Sequence, residues 1–436
     1  MPLKLLHLSD IHFKFYDKNG HLNLDKDLQN ELLRDLTALI EKVGSLDVII
    51  IGGDIAFSGS ENEYSDADKW IENLCEATQC SVENVLCIPG NHDVEWSRIK
   101  PILEEAQQSF KSLRSRINID AKLAKFLVDE ASCDTLLRPF TNYNNFAQKY
   151  GVVPEQKNKL YWEKRFEIDD YVIRIRGVNS ALVSNKSDDE NTSKLILGTH
   201  QSQIVREEKV INLIVCHHPP DWLYDGTDAR NEMLARAKIL FFGHKHAFEV
   251  NRIDEALILS AGAMQPPRDE PGWDPRYNVL EIEVVERDNF SNLSVKIWKR
   301  VWKANKQQCF VPDYGLGGSE FEVHLLRCDP IKAPEIVLKE APLILNDVKM
   351  KENDELINPK QPNPFRKLSY LFLSLPYHTK LQIAVDLGLI SEDDKDSDEI
   401  KKAQAYLNRA KKDGKLLQLW DKINQVTPQK GQNPFK

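Results

Sequence analysis

The sequence predicts an α/β fold over residues 1 to about 325 and a small all-α domain after it, on three observations. Short β-branched runs alternate with amphipathic helical segments, which is the pattern of strands buried on both faces and covered by helices. Six prolines punctuate residues 326–364 with weak periodicity between them, the mark of a linker. Beyond that stretch the chain returns to helical spacing without strand-like runs.

The elements follow in order. Residues 3–8 form the first strand. A helix is expected over 25–43, where Leu28, Leu32, Leu36, Leu39 and Ile40 share one face and Gly44 closes it. Further strands are expected at 48–51, 85–88, 171–177, 211–216, 239–242 and 257–260, with a helix at 66–77. Two long alternating segments, 277–285 and 293–302, close the region, and Trp298 and Trp302 on the second read as core. Residues 97–151 are helical and too long for a simple connection, so a cap insertion is expected there. The last domain spans 365–430, with Gly388 and Gly414 at helix C-caps and a capping box at Asp396 and Glu399.

Bulk properties exclude several classes. No apolar run approaches the roughly 18–20 residues of a membrane span. The first residues are too short an apolar stretch for a signal peptide. Seven scattered cysteines without a CxxC pair suit free thiols in a reducing cytoplasm, the expected location. The net charge of -9 is uneven: residues from Lys360 onward carry +5, and the preceding 359 carry -14. An acidic first region argues against tight non-specific duplex binding, though bound cations would invert the local field.

The chemistry lies directly after predicted strands. The motifs are Asp10-Ile11-His12, Gly52-Gly53-Asp54, Gly90-Asn91-His92-Asp93, His217-His218-Pro219-Pro220 and Gly243-His244-Lys245-His246. Side chains leaving the carboxyl ends of adjacent strands converge on one crevice. Imidazole and carboxylate together suit borderline divalent metals, and one carboxylate can bridge two of them. Each motif alone is a common turn or a satisfied core histidine; five in this order are not.

This series resembles the full signature of the calcineurin-like metallophosphoesterases, over roughly residues 3–325. The resemblance implies a four-layer α/β/β/α sandwich and a site for two divalent metal ions, with Mn favoured over Fe, Zn, Co or Ni. It implies that Asp10, His12, Asp54 and His246 hold one metal and that Asp54 bridges to a second, completed by Asn91, His217 and His244. His92 would be the catalytic acid, protonating the leaving group while a metal-bound hydroxide attacks in line. His217 is preferred to His218 because the family ligand is the first His of a His-x-Pro pattern. Asp93 is expected to fix loop geometry from outside the metal shell.

Arg268, following Gly262 and a Pro-Pro pair, is a candidate phosphate clamp, against the ordinary reading of a solvated loop residue. Asn179-Ser180 reads as a turn before it reads as a substrate contact. A phosphodiester in a nucleotide or nucleic acid is the expected substrate. The alternatives are a phosphomonoester, including a phosphoprotein, and a metal-binding scaffold without catalysis. The C-terminal segment, FRKLSYLFLSLPYHTKLQIAVDLGLI with AYLNRAKKDGKLLQLWDKI, resembles the effector-associated adaptor domains of bacterial defence systems. That resemblance implies a protein partner bound through residues 365–430; the alternative is a bundle that packs on the enzyme.

Overall fold

The computed structural model describes the chain except residues 15–24, 190, 266–273, 288–289, 304–307, 315–317, 329–363, 374, 376, 392–398, 427–434 and 436. Arg268 and most of the expected linker lie outside the described residues. The chain divides into two units, Met1–Ile336 and Val337–Lys436.

The first unit begins β1 (Leu3–Leu8), α1 (Lys26–Val43), β2 (Val48–Ile51), α2 (Glu61–Thr78) and β3 (Val85–Cys87). The helical segment follows as α3 (Pro101–Lys111), α4 (Arg116–Val128), α5 (Glu130–Leu137) and α6 (Thr141–Lys149). Then come β4 (Tyr161–Ile168), β5 (Tyr171–Val178), α7 (Thr199–Ser202), β6 (Val210–Cys216), α8 (Gly226–Leu234) and β7 (Ala237–Phe242). The unit ends with β8 (Phe248–Ile253), β9 (Ala256–Ala261), β10 (Arg276–Arg287), β11 (Phe290–Lys303), β12 (Cys309–Pro312) and β13 (Phe321–Arg327).

These strands form two sheets. One runs β12-β11-β10-β1-β2-β3 with β13 also on β11; the other runs β4-β5-β6-β7-β9-β8. Strands β1, β2 and β3 are mutually parallel, as are β5, β6, β7 and β9. The sheets face each other across one apolar core. In β6, Ile211, Leu213 and Val215 enter that core beside Leu5, Ile50 and Phe241, whereas Ile214 and Cys216 enter a second core on the other face. Alternation along a strand requires this, and it explains the continuous apolar run of β6.

Helices α1 and α2 cover the other face of the first sheet, where Leu28, Leu32, Leu36, Tyr64, Ala67 and Trp70 join the same continuous apolar cluster. Leu103, Phe110, Ile119, Leu123 and Leu136 of α3, α4 and α5 fill the second core against Ile214, Leu240 and Phe242. Buried ion pairs tie the same helices down, Lys111 to Asp188 and Arg116 to Asp225. The 97–151 segment therefore supplies much of an outer helical layer on the second sheet. Trp298 and Trp302 are buried in the continuous apolar cluster on the α1 side of the first sheet, with Arg300 between them bonded to Asp35 of α1.

Four strands escape the sequence reading: β4, β8, β12 and β13. β4 is an edge strand written YWEKRFEI, with too many charges to stand out as apolar. β13 covers residues 321–327 and overlaps the start of the expected linker.

The second unit contains α9 (Pro364–Leu373), α10 (Tyr377–Asp386), α11 (Glu399–Lys412) and α12 (Leu416–Val426). Leu368, Phe372, Ile383, Ala403, Tyr406, Leu407, Leu419, Trp420 and Ile423 give it a core of its own. Gly388 and Gly414 follow α10 and α11 with φ of 59° and 66°, the left-handed conformation that ends a helix.

Candidate metal centre

The two parallel strand sets end at the same place. Asp10 and His12 follow β1, Asp54 follows β2, and Asn91 and His92 follow β3; His217 and His218 follow β6, and His244 and His246 follow β7. Four groups of candidate ligand atoms lie within 4.8 Å of one another: Asp10–His12–His246, His12–Asp54–His92, Asp10–Asp54–His217 and His217–His218–His244. Asp54 belongs to the middle two and so connects the halves.

The backbone is strained where these side chains leave it. Asp10, His12, Asp54, His244 and His246 all have positive φ, between 51° and 67°. Non-glycine residues rarely adopt this region, and a concentration of them marks a site whose geometry the surrounding fold imposes. Backbone bonds hold the loop pair in register: Asp10 N–H donates to the Gly53 carbonyl at 3.0 Å and His12 N–H to the Asp54 carbonyl at 2.9 Å. Gly90 is required by close approach, because a Cβ there would collide with the Asp54 carboxylate and backbone nitrogen.

The histidines are aimed by their second nitrogens. His217 Nδ1–H donates to the Gly52 carbonyl at 2.8 Å, which leaves Nε2 facing Asp54 Oδ2 at 3.3 Å. His246 Nε2 is 3.5 Å from Asp10 Oδ1, and His12 Nε2 is 4.0 Å from Asp54 Oδ2. His92 Nδ1–H donates to the Phe57 carbonyl at 2.7 Å, freeing Nε2, while its backbone N–H donates to Asp54 Oδ1 at 2.8 Å. Asn91 Oδ1 lies 3.0 Å from His244 Nδ1 and 3.2 Å from His218 Nε2.

Asp93 is buried away from this crevice. It accepts from the backbone N–H groups of Ile55 (3.2 Å), Ala56 (3.0 Å) and Gly90 (2.9 Å) and from the Tyr64 hydroxyl (2.8 Å). Burial and the nearby Asp54 charge push its carboxyl up to about 6.

Charge within the cluster is tightly balanced. Burial opposes charge on His217, yet Asp54 and Asp10 hold its imidazole up at about 9. Asp10 is brought down to about 2, its burial outweighed by His246 and His217, and Asp54 is held well below the carboxylate range. Burial pushes His12 down to about 4, and burial with His217 does the same to His244. The proton on His217 is thus positive charge between two carboxylates, a place a cation would take with release of that proton.

The residues fit divalent cations. His12 Nδ1 is buried without a hydrogen-bond partner, and Asp10 Oδ1 and His217 Nε2 have only the ion-pair contacts given above. A buried polar atom left unmet costs roughly 1–3 kcal/mol, so atoms this poorly matched in one crevice favour a ligand. Imidazole, carboxylate and carboxamide donors suit Mn, Fe, Zn, Co or Ni.

Three features escaped sequence reasoning. His218 faces the cluster as well as His217, its Nδ1 held by the Ser180 hydroxyl at 2.8 Å. Asn179 shapes the turn as expected, its Oδ1 accepting from Ala181 N–H at 3.0 Å, whereas the contact of Ser180 with His218 was not foreseen. Aromatic rings border the histidines: Phe57 is 5.3 Å and Trp96 6.2 Å from His92, and Trp222 is 4.1 Å from His244. The position of Trp222, two residues after the His-His-Pro-Pro motif, was the available signal.

Comparison with known proteins agrees. A family model described as calcineurin-like phosphoesterase matches residues 3–248, and one described as GTPase-associated adaptor domain matches residues 364–425. The uncharacterized metallophosphoesterase-like protein YydB of Bacillus subtilis (strain 168) is 23% identical over 225 residues, 50% of this chain and 43% of that protein. The chain thus matches less than half the length of that relative.

Among solved structures, purple acid phosphatase PPD1 from yellow lupin is 12% identical, with 75% of this chain and 54% of that chain covered and a TM-score of 0.40. A putative 5'-nucleotidase from Staphylococcus aureus is 13% identical, with 68% and 53% covered and a TM-score of 0.34. Because the first model spans more than half of the sequence and all five motifs up to His246, the chain belongs to the calcineurin-like phosphoesterase family.

Proposed function

We propose that this protein is a dinuclear-metal phosphodiesterase acting on a nucleotide or nucleic acid. The observation that carries the reading is Asp54, whose carboxylate is common to ligand groups on both sides of one crevice. Asp10, His12 and His246 would hold one divalent cation with Asp54; Asn91, His217 and His244 would hold the second. Such cations, when bound, supply charge against phosphoryl oxygens and acidify water at neutral pH.

The chain's own residues do the rest. Asn91 is oriented by His218 and His244, and the Ser180 hydroxyl fixes the His218 ring. His92 presents Nε2 to the crevice with Nδ1–H fixed on the Phe57 carbonyl, so Nε2 is the atom that delivers a proton to the departing oxygen. Asp93 holds the loops after β2 and β3 together without entering the crevice. A cap role passes from the 97–151 segment to the residue just before it, Trp96, which borders His92, since α3–α5 are packed into the outer layer.

For the second unit we propose an adaptor for a protein partner. It has its own core and an adaptor-domain match, and Leu373, Val385 and Ile390 are exposed on its surface. Among the described residues no helix is long and apolar enough to cross a membrane.

The test is a rate screen with Mn2+ against bis-p-nitrophenyl phosphate, p-nitrophenyl phosphate, cyclic nucleotides and oligonucleotides. Preference for diesters supports the reading; monoester preference would replace it with a phosphatase, and inactivity on all of them with a scaffold.

A further inference from the structure

We infer that Phe57 and Trp222 are nucleobase platforms at the two ends of the cluster, so that the scissile phosphodiester joins two nucleosides. This rests on the phosphodiesterase reading above and narrows its substrate.

Phe57 lies three residues after Asp54 and is 46% exposed. Its ring is 5.3 Å from the His92 ring at an interplanar angle of 33°, and 6.3 Å from His12. Trp222 closes a 3-10 turn, Pro220–Trp222, directly after the His-His-Pro motif. Its half-buried ring is 4.1 Å from His244 and 6.2 Å from His218. One ring therefore borders the His12–Asp54–His92 group, and the other borders the His217–His218–His244 group.

A single exposed aromatic residue is ordinary on a protein surface. A ring against an imidazole at each end of one cluster is a different arrangement. A phosphomonoester has one organic arm and would engage one platform; a diester of two nucleosides has two arms. Any base can stack on an aromatic face, which is worth roughly 5- to 150-fold in affinity per base and carries little sequence preference. Cations accompany the rings at the His92 end: Lys14 Nζ is 5.0 Å above Phe57, and Lys186 Nζ is 5.5 Å above Trp96. In a unit of negative net charge these ammonium groups supply local attraction for flanking phosphates.

The experiment uses the full chain with Mn2+ and four substrates: a thymidine dinucleotide, its two analogues with an abasic sugar on one side or the other, and a thymidine decamer. Removing either base should lower kcat/KM by about 5- to 100-fold. Phe57→Leu should abolish the penalty for one abasic position and Trp222→Leu the penalty for the other. Dinucleotide and decamer cleaved alike per linkage would place recognition in these two platforms alone; a decamer advantage lost in Lys14→Ala and Lys186→Ala would add the flanking phosphates.

Abasic analogues cleaved as fast as the dinucleotide would overturn the inference, as would variants that slow base-bearing and abasic substrates in parallel. Cleavage of bis-p-nitrophenyl phosphate with no cleavage of the dinucleotide would sink the inference and leave the phosphodiesterase reading standing. If neither is cleaved, that reading fails, and anisotropy of labelled base-bearing and abasic decamers in EDTA still decides the platforms. Tighter binding of the base-bearing decamer, lost in both variants, supports them; equal binding ends them.

Discussion

Replacing Asp93 by alanine removes one acceptor from four buried donors at once. The Ile55, Ala56 and Gly90 N–H groups and the Tyr64 hydroxyl would all lose their partner. Orphaning a buried donor costs about 1–3 kcal/mol, and removing a buried charge beside Asp54 returns part of that, so the net loss should be roughly 3–5 kcal/mol. For a unit of this size that corresponds to a melting temperature lower by about 5–15 °C. The loss would concentrate where it matters, because Ile55 follows Asp54 and Gly90 precedes Asn91. Loosening an outer support of this kind typically costs about 10- to 100-fold in metal affinity. Thermal melts and metal titrations of Asp93→Ala, with Asp93→Asn as the milder variant, measure both. A melting temperature within about 2 °C of the parent and unchanged metal affinity would refute the clamp.

Other perturbations follow from the same geometry. Gly90→Ala should lose metal and activity together, since the new methyl group occupies the space of the Asp54 carboxylate; full metal content by elemental analysis would count against that close approach. His92→Asn should keep its metal and lose about 10²–10⁴-fold on substrates with poor leaving groups, but much less on p-nitrophenyl esters, which need little protonation. Equal losses on both would remove His92 from the acid role. Truncation after residue 336 should leave the rate on small chromogenic esters unchanged, because the second unit has its own core; a truncated chain that aggregates or loses that rate would contradict the division.

The motifs made the position of the site legible because the strands carrying them are β-branched and apolar. Val48–Ile51 announces a strand, and Asp54 follows it. The edge strands were hidden for the opposite reason: charged residues interrupt β4 and β8, which lack a continuous apolar signal. The start of α2 was visible but unread. Ser60 and Glu63 have capping-box spacing, and Glu63 accepts from the Ser60 backbone N–H at 3.0 Å, so the helix begins at Glu61, five residues before the expected start. The role of His218 was beyond the sequence, because it depends on Ser180 from β5's end meeting a loop 38 residues away. The same holds for Phe57, since a ring beside a cluster is indistinguishable in sequence from a ring in a core.

Metal stoichiometry of the parent chain and of Asp54→Asn tests the account most directly. If Asp54 bridges, the parent binds two divalent ions per chain and the variant loses most of its metal along with nearly all activity on bis-p-nitrophenyl phosphate. Full occupancy of both ions in Asp54→Asn, or a parent chain that binds a single ion, would contradict it.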